Sequence, residues 1–200
     1  MRRLGTVAVV VLSIILGSQS AFAQARPLAI LMPGAGGASP IDFMVRNEDR
    51  IRAAGIETVV TTSPAQAVSL TKAAQAKGQK VVIAGMSRGA RDIAQALASG
   101  ARPSGVIFVS GVLGAVMSSL GSPAALPPTL VIHHRRDECD RTSPASAQRF
   151  VGWSGGKASL RWIDNTGAPV PNPCGPRGAH GFFLQDGPAV SAMIGFIRAR

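Results

Sequence analysis

Tyrosine is absent from the chain, and phenylalanine and tryptophan bring its aromatic content to only 4% of 200 residues. Acidic residues are also scarce: 10 Asp and Glu stand against 21 Lys and Arg, which gives a formal net charge of +11. Such a charge attracts polyanions, but single-stranded nucleic acid also needs aromatic side chains on which its bases stack. Because aromatics are few and the basic residues are scattered, we expect no nucleic-acid partner. We interpret the charge as a source of solubility with a bias toward anionic ligands.

Long apolar runs are missing except at the amino terminus. There, two arginines precede an apolar run at residues 4–16, and Ala-Phe-Ala follows at 21–23. This run is too short to cross a hydrocarbon core of about 30 Å, so residues 1–23 are predicted to be a cleaved signal peptide. An uncleaved membrane anchor is the alternative. Residues 24–200 are predicted to form one domain that is periplasmic or secreted and has no membrane attachment after cleavage.

Cysteine occurs only twice, as Cys139 and Cys174. An even number in an exported chain favours a disulfide, with two unpaired buried thiols as the alternative. His133, His134, Asp137 and Cys139 lie close together in the sequence, but their spacing matches no established zinc pattern. No metal and no cofactor are therefore predicted.

Six short apolar runs alternate with Ala-rich amphipathic stretches, and this alternation is typical of βαβ units around a parallel sheet. Most of the runs are continuously apolar, as expected for strands that helices cover on both faces. The predicted strands are residues 28–32, 56–61, 80–85, 105–110, 129–133 and 158–163. The predicted fold class is therefore α/β, with a doubly wound, mainly parallel six-stranded sheet and helices on both faces.

Proline and glycine indicate where the intervening helices begin and end, because proline suits the first helical turn and glycine suits the residue after the last. The predicted helices are residues 41–54, 64–77, 87–99, 143–151 and 188–198. Residues 111–128 are rich in Gly, Ser and Pro and are predicted to form a loop. This segment is too short for a folded cap domain, so we expect an open site.

One motif places a serine between a predicted strand and a predicted helix. Residues 85–89, Gly-Met-Ser-Arg-Gly, fit the pattern G-x-S-x-G. A serine on such a sharp turn has its hydroxyl above the sheet edge, near backbone N–H groups and a helix N-terminus that are aimed at a reacting carbonyl. The context predicts Ser87 as a nucleophile, and a purely structural turn is the alternative.

A serine hydroxyl is a weak nucleophile near neutral pH and needs a base. His180 is the candidate, because it lies in a Gly-flanked loop between the last strand and the last helix, where core packing does not explain it. The acid that orients the base is expected at a strand end between the nucleophile and the base. Asp137, four residues after His133, fits this position best, and Asp140 and Asp164 are the alternatives.

Two backbone donors are needed to stabilise the oxyanion of an acyl-transfer intermediate. The N–H of Arg88 directly follows the proposed nucleophile, and the N–H of Ala35 lies in the Gly-rich segment 33–37 after the first strand. A Gly-rich turn at this place also occurs in dinucleotide-binding folds. The spacing of these glycines does not fit G-x-G-x-x-G, however, and no acidic residue ends the second strand.

From residue 28 to residue 198 the chain resembles the α/β-hydrolase superfamily, and residues 178–182, Gly-Ala-His-Gly-Phe, are similar to the His loop of dienelactone-hydrolase-like members. The resemblance implies a minimal α/β-hydrolase fold without a cap domain, beginning at the superfamily's third strand. It also implies a serine hydrolase with the three candidates above as its triad.

Two departures from the superfamily pattern bear on the substrate. Dienelactone hydrolases proper have Cys where this chain has Ser87, and relatives often have His-Gly where it has Pro33-Gly34. The first departure argues for small accessible esters or related acyl compounds rather than dienelactones. The second leaves the details of the oxyanion loop open. A non-catalytic envelope binding protein on the same scaffold is the alternative function.

The two cysteines flank the acid and base candidates in the sequence. Cys139 lies two residues after Asp137, and Cys174 lies six residues before His180. A bridge between them therefore ties the acid loop to the base loop, and it closes a loop of about 36 residues, which stabilises the fold by roughly 3–4 kcal/mol.

Several arginines are expected in loops around the mouth of the site, and such a cluster favours an anionic substrate. Solvated loop charges are the alternative. The arginines concerned are Arg88, Arg135, Arg136, Arg141 and Arg177, of which Arg135, Arg136 and Arg177 are the predicted substrate-anion contacts.

Overall fold

The structure is a computed structural model that describes residues 25–164 and 170–200. The predicted signal peptide lies outside the described residues. The strands are β1 (Leu28–Met32), β2 (Glu57–Val60), β3 (Val81–Met86), β4 (Gly105–Val109), β5 (Thr129–His134) and β6 (Ala158–Ile163). The helices are α1 (Phe43–Arg46), α2 (Glu48–Ala53), α3 (Pro64–Ala76), α4 (Arg88–Ala98), α5 (Leu113–Leu120), α6 (Pro144–Trp153) and α7 (Asp186–Arg198).

The six strands form one sheet in the order β2-β1-β3-β4-β5-β6, and every neighbouring pair is parallel. This confirms the predicted α/β class and the six-stranded sheet. In the two described ranges, no cap domain interrupts the alternation of strands and helices. Within those ranges, no helix has both the length and the apolar character that crossing a bilayer requires.

Helices cover the sheet on both faces because successive strand residues point to opposite sides. Along β3, Val81 and Ile83 pack into one buried cluster, whereas Val82 and Ala84 pack into the other. The first cluster contains buried residues of α3, α4, α5 and α6, and the second contains those of α1, α2 and α7. Both faces of the strands are therefore apolar, which explains their continuous apolar sequence.

The prediction of a loop at residues 111–128 was wrong, because this segment contains α5. Apolar residues recur there at helical spacing, and Leu113 and Val116 are completely buried. The helix packs against α4, and Gly121 ends it with a φ of 66°. The prediction gave too much weight to glycine and proline near the ends of the segment and overlooked the amphipathic helix between them.

The predicted continuous helix at residues 41–54 is divided into α1 and α2 at Asn47. The Asn47 side chain is buried, and its Nδ2 donates a hydrogen bond of 3.0 Å to the carbonyl of Phe43. α1 begins only after Asp42, whose carboxylate accepts a hydrogen bond from the N–H of Met44 and caps the helix. Asparagine and aspartate side chains that bond to nearby backbone account for both differences.

Candidate active site

The site lies where the order of strands in the sheet reverses. β1 and β3 are neighbours, although β2 lies between them in sequence. In open α/β sheets, ligands bind at the carboxyl ends of the strands beside such a switch point. Here the loop at residues 33–37 leaves β1 and Ser87 leaves β3, and together with His180 they line one cavity of about 230 Å³.

Ser87 occupies a strained turn between β3 and α4. Its φ of 51° and ψ of −110° lie where residues other than glycine are rare, and such strain is found mainly at functional sites. Neighbouring elements hold this conformation: the Ser87 N–H donates to the carbonyl of Val109 at 2.9 Å, and the Ser87 carbonyl accepts from the N–H of Val112 at 3.2 Å.

The two glycines of the G-x-S-x-G pattern are required by close packing around Ser87. A Cβ on Gly85 would lie 2.6 Å from the carbonyl group of Gly89, and a Cβ on Gly89 would overlap the carbonyl oxygen of Met32. These contacts bring the start of α4 directly against the ends of β1 and β3. The motif therefore reflects a steric requirement of this turn.

The structure brings His180 and Asp137 together. His180 Nδ1 lies 3.0 Å from Asp137 Oδ2, and both side chains are buried. The other carboxylate oxygen, Oδ1, accepts a hydrogen bond of 3.0 Å from the N–H of Cys139. The alternative acids lie elsewhere, since Asp140 is exposed and Asp164 pairs with Arg135.

The loop after β1 presents backbone donors beside Ser87. The N–H of Gly34 is engaged, because it donates a hydrogen bond of 2.9 Å to Asp42 Oδ2. The N–H of Ala35 forms no hydrogen bond within the described part of the chain, and Ala35 lines the cavity with Ser87. Arg88 is the first residue of α4, and the N–H groups of a helix's first turn have no hydrogen-bond partner inside the helix. The N–H groups of Ala35 and Arg88 are the predicted oxyanion donors.

Comparisons with known proteins find similarity in fold but none in sequence. No sequence profile of a known family matches the chain, and no curated protein matches it in sequence. A soluble variant of monoglyceride lipase from Saccharomyces cerevisiae, solved with a substrate analog, superposes with a TM-score of 0.63 at 12% identity over 87% of both chains. An alpha/beta hydrolase enzyme from the sediment metagenome of the lagoon of Mar Chica, Morocco, gives 0.61 at 15% identity over 88% of this chain and 92% of the other. An esterase from Exiguobacterium antarcticum gives 0.60 at 11% identity over 86% and 92%.

The chain has the α/β-hydrolase fold. At these identities the likeness extends to the fold and does not single out a dienelactone-hydrolase-like subgroup. In the α/β-hydrolase fold, a nucleophile, an acid and a base follow one another along the chain and meet at the carboxyl edge of the sheet. Here Ser87, Asp137 and His180 occur in that order. Among the described residues, no hydrogen bond joins Ser87 Oγ to the His180 ring.

Sequence reasoning missed Thr142, which is completely buried beside Asp137 and His180. Its Oγ1 lies 2.9 Å from Asp137 Oδ2 and 3.0 Å from His180 Nδ1. The hydroxyl donates its proton to the carboxylate and accepts from Nδ1–H, so this arrangement favours the tautomer of His180 whose Nε2 is an acceptor. In the sequence, the only feature that could have pointed to Thr142 was a hydroxyl side chain in the short loop between β5 and α6.

His133 is a second buried histidine next to the acid. Its Nε2 lies 3.4 Å from Asp137 Oδ2, but neither ring nitrogen has a hydrogen-bond partner within the described residues. Its ring meets Trp162 edge to face. Burial lowers the pKa of His133 below its ordinary value of 6.5, against the opposing effect of the nearby Asp137 carboxylate. The imidazole is therefore neutral near pH 7.

Arg46 is another residue that the sequence did not single out. Its guanidinium forms an ion pair with Asp186 at 2.6 Å and donates to the carbonyl oxygens of Ile41 and Gly181. These partners belong to the start of α7, the segment after β1 and the loop of His180. One side chain therefore holds together the two loops that face Ser87.

The predicted disulfide between Cys139 and Cys174 is present. It joins the loop that follows Asp137 to the segment that precedes His180, and Cys174 also lines the cavity beside Ser87. Potential ligand atoms of Asp137, Cys139 and His180 lie within 4.8 Å of one another. Because Cys139 is oxidised in the disulfide, it offers no thiolate, and this set does not fit a metal ion.

A larger groove of about 730 Å³ also borders Ser87. Ala35, Ser87 and Cys174 line both spaces, whereas Arg88, Arg91 and Arg141 line only the groove. The site therefore has two parts that meet at Ser87.

The predicted anion contacts do not reach either space. Arg135 forms an ion pair of 2.9 Å with Asp164 and lies over the ring of Trp162, while Arg136 and Arg177 are exposed. None of these three arginines lines the cavity or the groove. They follow strand and loop ends in sequence, but a place near these ends does not by itself bring a side chain into either space.

Proposed function

We propose that the protein is an exported serine hydrolase that cleaves small, accessible carboxylic esters through an acyl-enzyme. In this proposal Ser87 is the nucleophile, His180 is the general base and Asp137 is the acid that orients His180. The observation that carries the proposal is that a serine in a strained turn shares a cavity with a histidine whose far ring nitrogen is bonded to a buried carboxylate.

The mechanism begins with attack of Ser87 Oγ on the ester carbonyl while His180 Nε2 takes the hydroxyl proton. Asp137 stabilises the resulting imidazolium through Nδ1. The carbonyl oxygen becomes an oxyanion, which accepts hydrogen bonds from the N–H groups of Ala35 and Arg88. When the tetrahedral intermediate collapses, His180 returns the proton to the departing alcohol. A water molecule then attacks the acyl-enzyme by the same steps and releases the carboxylic acid.

The hydrogen bond between Ser87 and His180 forms in this mechanism when substrate binds. Catalytic hydrogen bonds are commonly long or misaligned without substrate and tighten in the reactive complex. The named activities of the similar structures, an esterase and a monoglyceride lipase, also support ester cleavage.

The test combines turnover with active-site labelling. Purified protein is assayed against a panel of para-nitrophenyl esters and thioesters of increasing acyl length, and it is labelled with a fluorophosphonate probe that reacts with activated serines. We expect turnover of the short esters and one label per chain, both of which Ser87→Ala abolishes. Ser69→Ala is the matched control, because Ser69 is an exposed serine on α3. A folded wild-type protein that neither takes the label nor turns over any ester would instead be a non-catalytic binding protein.

A further inference from the structure

We propose that the groove beside Ser87 binds an anionic group on the acyl portion of the ester, so that the enzyme prefers half-esters of dicarboxylic acids to neutral esters of the same length. This inference rests on the proposed function, since it assigns a substrate class to the same site. It depends on three observations: which charges line the groove, how these charges are paired, and which of the two spaces His180 lines.

The lining of the groove carries a surplus of positive charge. Arg88, Arg91 and Arg141 all line it, and among the described residues Asp140 is the one acidic residue in its lining. Guanidinium groups bind carboxylates in a planar, two-point geometry, which makes a cluster of arginines a suitable receptor for a carboxylate.

The pairing of these arginines leaves them available to a ligand. Arg88 Nε and Arg91 Nε lie 3.5 Å and 3.7 Å from the same buried carboxylate, Asp92, so two guanidinium groups share one counter-ion beyond hydrogen-bond distance. Arg141 has no ion pair within the described residues. A substrate carboxylate would supply the partner that this cluster lacks.

Two arginines outside the groove have closer acidic partners. Arg46 pairs with Asp186 at 2.6 Å, and Arg52 contacts Glu48 at 2.5 Å. Arg88 and Arg91 differ from these two in that the carboxylate they share lies beyond hydrogen-bond distance of both.

The position of His180 decides which half of the ester enters the groove. In ester cleavage the departing alcohol receives its proton from the histidine, so the alcohol lies on the side of His180. His180 lines the smaller cavity and does not line the groove. The alcohol therefore lies in the smaller cavity with Ile41 and Met86, and the acyl chain extends into the groove.

The test compares two esters that differ only at the end of the acyl chain. Mono-para-nitrophenyl adipate ends in a carboxylate, and para-nitrophenyl hexanoate has the same chain with a terminal methyl group. The readout is the ratio of kcat/KM for adipate to that for hexanoate. We expect this ratio to be about five or more at low salt. It should fall as salt is added, because salt screens exposed ion pairs.

Arginine variants assign the preference to the groove. Arg91→Gln and Arg141→Gln are expected each to lower the ratio by about two- to fivefold, and the double variant to bring it near one. Arg149→Gln removes the same charge from the exposed surface of α6, and we expect it to retain the wild-type ratio. Thermal unfolding of all variants verifies that they are folded.

The outcomes separate this inference from the proposed function. Turnover of hexanoate with a ratio at or below one, or a ratio that the double variant retains, would overturn the inference while leaving ester hydrolysis intact. A preference for para-carboxyphenyl hexanoate over phenyl hexanoate that the double variant loses would overturn the assignment of the groove to the acyl side. No turnover of either ester, with Ser87 unlabelled by the fluorophosphonate, overturns the proposed function and the inference with it.

Discussion

The carboxylate of Asp42 accepts a hydrogen bond of 2.9 Å from the backbone N–H of Gly34. Its other oxygen accepts one of 2.8 Å from the N–H of Met44. One buried side chain therefore fixes both the start of α1 and the loop that holds Ala35 beside Ser87. Burial raises the pKa of Asp42 above 3.8, and the two N–H donors oppose this effect.

Removing this carboxylate is expected to affect both stability and turnover. Asp42→Ala should lower the free energy of unfolding by about 1–2 kcal/mol through the loss of a helix cap. It should also lower kcat by roughly tenfold, because an oxyanion donor that is not held in place stabilises the transition state less. Denaturant unfolding and steady-state kinetics on a para-nitrophenyl ester measure the two effects. An Asp42→Ala protein with wild-type kcat would contradict the assignment of Ala35.

Thr142 is expected to act by positioning the acid and the base. Thr142→Val keeps the shape of the side chain but removes the hydroxyl that contacts both, and we expect kcat to fall by about tenfold with little change in KM. Thr142→Ser restores the hydroxyl and should recover most of the activity. If the serine and valine variants lose activity equally, the methyl packing and not the hydroxyl is what matters.

Stability should depend on pH through His133. Burial lowers the pKa of His133 in the folded protein. As pH falls, the unfolded chain therefore binds a proton at this histidine near pH 6.5, whereas the folded protein binds it only at lower pH. Its contribution to stability is therefore fully present above the unfolded pKa and is lost as pH falls below it toward the folded value.

A variant without this titrating group isolates the effect. We expect the free energy of unfolding to decline less steeply between about pH 7 and pH 5 in His133→Leu than in the wild type. Urea titrations at several pH values measure the slopes, and parallel slopes would refute the prediction.

Reduction of the Cys139–Cys174 bridge is expected to lower activity before the sheet unfolds. The bridge connects the loops of Asp137 and His180, so its loss loosens the pair while the strands remain intact. The double variant Cys139→Ala/Cys174→Ala should lose about 3–4 kcal/mol of stability, the value expected for a closed loop of this length. Turnover and melting temperature that dithiothreitol leaves unchanged would argue against any role for the bridge.

Local patterns in the sequence were sufficient to predict the sheet and its strands. The run at 28–32 matches β1, and the run at 158–163 matches β6, because apolar stretches bounded by turn residues are local features. The loop prediction for residues 111–128 failed because the glycines and prolines of this segment are conspicuous. The helical spacing of Leu113 and Val116 indicates a buried helix face only once α4 is known to pack against α5.

In the candidate site, too, local sequence patterns reveal some residues and miss others. Ser87 stands out because its motif is contiguous, and His180 and Asp137 because chain order constrains them. Thr142 and Arg46 have no such pattern, since their roles depend on partners far away in sequence: Thr142 contacts His180, and Arg46 contacts Asp186. The paths of the loops beyond the sheet likewise determine which arginines line the groove beside Ser87. The spacing of residues along the chain does not reveal those paths.

The backbone of Ser87 is bonded on both sides, through its N–H to β4 and through its carbonyl to the residue before α5. The peptide groups on both sides of Ser87 are thus held in place, whereas rotation about its Cα–Cβ bond stays free. The Ser87 hydroxyl can therefore reorient by rotation about a single bond, in picoseconds to nanoseconds, while the turn that carries it stays in place.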